Sequence, residues 1–225
     1  MDLSFPLYAT ARNNMVDSQV RPNKVTDPRL LDAMRRLPRE LFVPPALAAL
    51  AYVDEDIPLG QGRVLMQPLA IARLVQLARG RAGEKALVVG AGAGYGAALL
   101  AACGCVVTAL EEDGRLIAMA QKALSRLAPA VRIVQGELAA GVKAGAPWDI
   151  ILIEGAVAAA PPSLAAQVAH GGRLVTVLAA AGSVGHAVLG EPVGTAGASR
   201  LQLREMFDCS TPLLPSFRPA PAFVF

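Results

Sequence analysis

The chain has 225 residues, enough for one large domain that buries most of its apolar surface without disulfide bonds. Hydrophobic residues make up 54% of the chain and aromatic residues only 4%, a balance that suits a compact α/β protein. The net charge of +3 comes from arginines scattered among acids, so no basic block indicates a nucleic-acid partner.

The three cysteines, Cys103, Cys105 and Cys209, lie in apolar runs. Their odd number and their surroundings predict reduced core residues of a cytoplasmic protein, not a disulfide set. No cluster with the spacing of metal ligands is present, so we predict no metal site. No basic segment followed by an apolar run opens the chain, and we expect no signal peptide.

The first third of the chain predicts helices joined by loops. Apolar spacing indicates a short helix over residues 10–19. Asp27 followed by Pro28 predicts a helix start, because a capping side chain precedes a proline whose missing N–H costs nothing there. Residues 60–68 predict a flexible segment that becomes extended, and residues 69–79 an amphipathic helix.

The most informative stretch runs from residue 86 to residue 112. Four apolar residues typical of a buried strand precede Gly90-Ala91-Gly92-Ala93-Gly94-Tyr95. Glycines at alternate positions allow a sharp turn and close approach of a ligand. The predicted helix over residues 96–103 points its N-terminus at this turn, which favours a negative ligand group. A second apolar strand then ends at Glu111, about 20 residues after the first glycine, the usual distance for a carboxylate that binds a ribose hydroxyl.

This turn differs from the dinucleotide fingerprint, because its third glycine comes one position early. It therefore fits a nucleoside cofactor the size of S-adenosylmethionine better than a dinucleotide, and an NAD-type oxidoreductase is a weak alternative. Tight strand–helix packing without a ligand is another. A membrane helix over residues 86–110 is disfavoured, since the run is rich in Gly and Ala and its middle is a turn signal.

Strands and helices continue to alternate after Glu111. We predict helices over residues 116–127 and 161–169, and strands over residues 131–134, 148–153 and 173–178. This alternation indicates a parallel sheet with right-handed crossovers, whose carboxyl ends carry Glu111, Glu137 and Glu154. Beyond residue 183 the spacing predicts antiparallel strands over residues 185–189 and 201–209, and a last one over residues 222–225.

The whole chain is thus expected to form one α/β domain with a doubly wound, mostly parallel sheet. Residues 1–80 would be a helical region with the substrate loop, residues 81–180 the cofactor-binding core, and residues 181–225 the antiparallel C-terminal strands.

Several motifs, in order, resemble protein-L-isoaspartate O-methyltransferases. The resemblance covers about residues 12–178 and includes the glycine turn with Tyr95. The other motifs that carry it are Arg12-x-x-Met15-Val16-x-x-Gln19, Val25-Thr26-Asp27-Pro28-Arg29-Leu30-Leu31-Asp32-Ala33-Met34, Pro38-Arg39-Glu40-x-Phe42-Val43-Pro44 and Ala51-Tyr52-x-Asp54.

The resemblance implies a Rossmann-like class I methyltransferase that transfers a methyl group from S-adenosylmethionine to the carboxylate of L-isoaspartyl residues in damaged proteins. The methyl ester would then close to a succinimide and reopen partly as normal aspartate. The implied cofactor-binding residues are Gly90, Gly92, Gly94, Tyr95, Glu111, Glu137 and Leu138. Val64, Leu65 and Gln67 would contact the substrate. Tyr95 fits either the cofactor pocket or simple packing on the helix.

Two positions depart from the family pattern. Met66 stands where the family has a serine regarded as catalytic, and a methionine cannot donate the hydrogen bond of a hydroxyl. Val88 stands where the family has an acid that helps to bind the cofactor. Arg63, three residues before Met66, is a hypothetical replacement that would grip the substrate carboxylate through two parallel N–H bonds, and a solvated loop arginine is the alternative.

These departures leave two further alternatives open: a catalytically inactive relative that binds a peptide or partner, and a methyltransferase with another acceptor. The leading expectation is a monomeric repair enzyme acting on protein or peptide substrates, with no nucleic-acid or membrane partner.

Overall fold

The computed structural model describes residues 4–180, 183–193 and 200–218. Its main element is a seven-stranded sheet, with a separate two-stranded hairpin formed by β1 and β2. The strands are β1 (Ile57–Gly60), β2 (Arg63–Leu65), β3 (Lys85–Val89), β4 (Val106–Glu111), β5 (Arg132–Gln135), β6 (Trp148–Val157), β7 (Val168–Leu178), β8 (His186–Pro192) and β9 (Leu201–Asp208).

The strand order is β5-β4-β3-β6-β7-β8-β9. The pairs from β5 to β7 are parallel, and β8 and β9 add antiparallel pairs at one edge. The order reverses between β3 and β6, and open α/β sheets bind ligands beyond the carboxyl ends of the strands at such a switch point. The predicted doubly wound sheet and the antiparallel strands after residue 183 are confirmed. The predicted strand over residues 222–225 lies outside the described residues.

Most predicted helices are also present. They are α1 (Ser4–Asn14), α2 (Pro28–Arg36), α3 (Pro68–Ala78), α4 (Tyr95–Ala102), α5 (Gly114–Leu127) and α6 (Pro162–Ala165). The helical path of α1 continues as a π-helical turn over Met15–Val20. The Asp27 side chain caps α2 by accepting a hydrogen bond from the Arg29 N–H at 2.9 Å, as the sequence predicts.

The helix predicted over residues 161–169 is wrong in length. It ends at Ala165, because the Gln167 carbonyl accepts the Trp148 N–H at 2.8 Å and Val168 already pairs with β6. Sheet pairing therefore takes the residues that the sequence pattern assigned to the helix.

Two apolar clusters lie on opposite faces of the sheet. The larger is covered by helices including α3, α4 and α5. The smaller, which includes Leu138, Trp148 and Leu164, is covered by α6, short 3-10 turns and the chain after β9. All three cysteines are free and buried. In the described part of the chain, no helix has the length and apolar character that crossing a membrane requires.

Candidate active site

The glycine turn connects β3 to α4 at the switch point of the sheet. Gly90, Gly92 and Gly94 all have positive φ, at +69°, +58° and +96°. Gly94 caps α4, and a Cβ there would lie 2.7 Å from Leu124 Cδ1, so only glycine fits without movement. The glycines thus let the backbone turn sharply, with no side chain of their own on the ligand side.

Glu111, the last residue of β4, faces this turn. Its Oε2 accepts the Gly92 N–H at 2.8 Å, and its Oε1 accepts the N–H groups of Glu112 and Asp113 at 2.9 and 3.1 Å. The acid and the glycine turn therefore meet, as the sequence spacing predicts. We call Gly90, Gly92, Gly94 and Glu111 the corner.

Arg63, from the hairpin, lies in the corner. Its Nη1 and Nη2 donate to Glu111 Oε1 and Oε2 at 2.8 and 2.9 Å, and Nη2 also donates to the Gly90 carbonyl at 2.9 Å. The side chains are 5% and 1% exposed, so the pair is buried. The arginine does form a bidentate pair with a carboxylate, but its partner in this structure is Glu111. The predicted contact with a substrate carboxylate requires that pair to open.

A C-terminal segment, residues 211–218, also reaches the corner, and we call it the strap. A Cβ at Gly90 would lie 3.2 Å from Leu214 Cδ1, and a Cβ at Gly155 only 2.6 Å from Leu214 Cγ. Leu214 is buried and belongs to the smaller apolar cluster. Nothing in the sequence pattern singles out Leu214 as a site residue.

The fit of an adenosyl group to this corner has two parts. The backbone fits, since the turn glycines carry no side chains that would prevent close approach, and the next strand ends in a carboxylate. The side chains of Arg63 and Leu214 fill that space, and the Glu111 oxygens already accept five N–H groups. Beside the filled corner lies an open polar cavity of about 340 Å³, lined by Gln61, Arg63, Glu112, Asp113 and Pro215.

The predicted substrate loop comprises the end of β2 and the two residues after it. Leu65 and Met66 are 2% and 1% exposed, so their side chains belong to the core. Met66 contributes its backbone carbonyl, which accepts a hydrogen bond from the buried Arg39. Val64 and Gln67 are partly exposed, and they are the members of residues 64–67 that a substrate could contact.

Tyr95 and Glu137 differ in their surroundings. The Tyr95 ring is fully buried, packs edge-on against Phe42 at 5.2 Å between centroids and lies 4.8 Å from the Arg39 guanidinium carbon. These contacts favour the packing alternative for Tyr95. Glu137 is exposed just beyond β5, and its neighbour Leu138 is buried in the smaller apolar cluster, where part of the strap also packs.

Glu154 is a site-adjacent acid whose burial the sequence did not predict. It follows Ile153, which pairs with Val89, so it lies beside Gly90 near the carboxyl end of β6. Its side chain packs against Gly96 at the start of α4, on the sheet face that also holds Val88. Burial raises the pKa of Glu154 to about 8, against the opposing effects of Arg63 and Arg39. The face that lacks the family's acid at position 88 thus carries a different buried acid.

Comparison with known proteins was made for both sequence and fold. Residues 10–183 match the family model described as protein-L-isoaspartate(D-aspartate) O-methyltransferase. A protein-L-isoaspartate O-methyltransferase of Methylorubrum populi is 42% identical over 165 residues, covering 73% of this chain and 78% of that one. One of Koribacter versatilis is 34% identical over 217 residues, covering 96% of each chain.

Solved structures share the fold. A protein-L-isoaspartate O-methyltransferase superposes with a TM-score of 0.75 at 20% identity, covering 92% of this chain and 65% of the other. A Plasmodium falciparum structure described as a beta-aspartate methyltransferase in complex with S-adenosyl-L-homocysteine gives 0.74 at 16% identity, covering 91% and 98%. On the family match over residues 10–183 and these two sequence relatives, the chain belongs to the protein-L-isoaspartate(D-aspartate) O-methyltransferase family.

Proposed function

We propose that this chain transfers a methyl group from S-adenosyl-L-methionine to the free carboxylate of L-isoaspartyl residues in proteins and peptides. The observation that carries the proposal is the 2.8 Å hydrogen bond from the Gly92 N–H to Glu111. It brings together the glycine turn and the strand-end acid of a nucleoside site, in a chain that belongs to this methyltransferase family.

The reaction requires little acid–base catalysis by the protein. S-adenosylmethionine supplies a methyl group on a sulfonium, and the acceptor carboxylate is already an anionic nucleophile. The chain must mainly hold the two reactants in line and exclude water. A general base is therefore unnecessary, and the absence of a hydroxyl at Met66 removes an orienting contact rather than the nucleophile.

The proposed roles of individual residues follow from their positions. The glycine turn and Glu111 would hold the sugar and amino-acid parts of the cofactor, with Glu137 and Leu138 beside the base. Val64 and Gln67 are the accessible positions for the peptide. Arg63, once Glu111 turns to the ribose, would have two parallel N–H donors for the substrate carboxylate.

The setting of the reaction is also proposed. We infer a monomer that acts in the cytoplasm on proteins or peptides that carry isoaspartate, without a nucleic-acid or membrane partner. The scattered charge and the three buried, free cysteines support this setting.

The test is methanol release. The full chain is incubated with labelled S-adenosylmethionine and an isoaspartyl peptide, and the ester formed is hydrolysed in base. The matched control is the same peptide with a normal aspartyl linkage. We expect label in methanol only with the isoaspartyl peptide, and a large loss in the Glu111→Gln variant. No methanol from either peptide, together with no heat of cofactor binding in calorimetry, would overturn the proposal.

A further inference from the structure

Two of the side chains that reach the corner from outside the seven-stranded sheet lie against Gly90. Arg63 comes from the β1–β2 hairpin, and Leu214 comes from the strap. Both are buried, and together they fill the space in front of Gly90. The frame of the cofactor site is thus covered by parts of the same chain.

The strap is held by a few hydrogen bonds at its ends and centre. The Ala156 N–H donates to the Pro212 carbonyl at 3.1 Å, and the Leu214 N–H donates to the Ala156 carbonyl at 2.9 Å. The exposed Ser216 donates to the partly exposed Glu112. The bonds at Ala156 pair the strap with β6 beyond the end of β3. Within the strap, Leu214 is the apolar side chain that lies against Gly90 and Gly155.

Asp56 connects the strap to the substrate loop. Its Oδ2 accepts from the Thr211 hydroxyl at 3.2 Å, and its Oδ1 accepts from the Gln67 N–H at 2.7 Å. Asp56 directly precedes β1, and Gln67 lies two residues after β2, so this carboxylate ties the strap to both ends of the hairpin. A ligand that moves one cover will disturb the other.

We propose that Arg63 and the strap form an intramolecular closure that competes with the nucleoside cofactor for the corner. Cofactor binding would displace Leu214 from Gly90 and Gly155, and would exchange Arg63 for ribose hydroxyls as the partner of Glu111. This inference rests on the proposed function, because it concerns access to the same site.

The physical reason lies in the bonding capacity of Glu111. Its two oxygens already accept five N–H groups, two of them from Arg63, so ribose hydroxyls cannot donate to it while the pair is closed. The apparent affinity for the cofactor is then the intrinsic affinity multiplied by the fraction of open molecules. Weakening the closure must tighten binding, the reverse of what loss of a cofactor contact does.

The experiment measures S-adenosyl-L-homocysteine binding by calorimetry in the full chain and two variants. Leu214→Ala removes the apolar anchor, and Arg63→Met removes the guanidinium but leaves Glu111 with three backbone donors. Leu203→Ala, an exposed leucine on β9, and Arg204→Met, which breaks an exposed ion pair with Glu191, are matched controls. We expect both corner variants to bind about tenfold tighter or more than the wild type, and both controls to match it.

Hydrogen exchange of the wild type gives a second measurement that does not depend on how well the variants fold. Saturation with S-adenosyl-L-homocysteine should speed exchange of the Leu214 amide, because its bond to Ala156 is lost, while the amides of β9 should keep their rates.

The outcomes separate this inference from the proposed function. In one outcome the wild type binds S-adenosyl-L-homocysteine, both corner variants bind it equally well or more weakly, and the Leu214 amide stays as protected as before. This outcome overturns the closure and leaves the methyltransferase proposal standing. Binding only in the corner variants supports the closure. Absence of binding in the wild type and in both corner variants overturns the proposed function and the displaceable closure together.

Discussion

The corner contrasts with the segments that cover it. Its frame belongs to β3, β4 and the start of α4, where strand pairing and positive φ angles fix the backbone. Its covers, the hairpin and the strap, touch the frame through a few side chains, among them Arg63 and Leu214. The difference teaches that the parts which build a cofactor site and the parts which control entry to it can have separate structural origins in one domain.

The largest expected effect comes from breaking the ion pair between Arg63 of the hairpin and Glu111 of the frame. Glu111→Leu leaves the Arg63 guanidinium buried without its anionic partner, and removal of one partner from a buried pair costs about 3–5 kcal/mol. We expect a loss of this size in the free energy of unfolding, measured by urea titration. Glu191→Leu, at an exposed ion pair, is the control and should cost about 1 kcal/mol or less.

Adding Arg63→Met to Glu111→Leu should recover part of the loss, because the uncompensated charge is then gone. A loss in Glu111→Leu no larger than that in Glu191→Leu would show that the buried pair does not join the two regions.

The next effect tests the frame alone. Gly94→Ala forces an alanine to φ +96° and places its Cβ 2.7 Å from Leu124, so strain and overpacking add. Gly83→Ala, at φ +83° with open space around the Cβ, carries the strain only. We expect about 2–4 kcal/mol of destabilisation for Gly94→Ala and about 1 kcal/mol for Gly83→Ala in the same urea titration. Equal losses in the free energy of unfolding would mean that Leu124 moves aside easily and that the packing around the turn is more adaptable than the structure indicates.

The frame could be predicted from the sequence because its signals are local. Gly90 and Glu111 belong to one β–α–β unit, in which the spacing of a turn, a helix and a strand fixes where the acid lies. The covers could not be predicted in this way. Arg63 and Glu111 lie 48 residues apart, and both signals, an arginine in a loop and a strand-end acid, are also typical of exposed residues. Leu214 carries no signal beyond being apolar, and only tertiary packing places it against Gly155.

A pH-dependent effect tests the buried acid beside the frame. Burial raises the pKa of Glu154 from 4.5 to about 8, so between these pH values the folded chain keeps a proton that the unfolded chain has released. The free energy of unfolding must therefore fall as the pH rises through this window, by at most about 1.4 kcal/mol per pH unit.

Glu154→Gln removes this proton but retains a polar side chain of nearly the same shape. We expect the stability of the variant relative to the wild type to increase steadily from about pH 5 to pH 8, as measured by urea titration at several pH values. Subtracting the two curves removes the contributions of other titrating groups. Parallel curves would place the folded pKa of Glu154 near its ordinary value and argue for water beside the carboxylate.

The smallest expected effect tests how weakly the strap is bound to the frame. Ser216 donates a hydrogen bond to Glu112, and both side chains are accessible to water, so replacement by solvent is cheap. Ser216→Ala should therefore leave the free energy of unfolding within about 0.5 kcal/mol of the wild type. It should nevertheless speed exchange of the Leu214 amide by about two- to fivefold, because opening of the strap alone exposes that amide. A fall in the free energy of unfolding that matches the faster exchange would instead mean that the strap opens only when the sheet does, and the covers would then be as much a part of the fold as the frame.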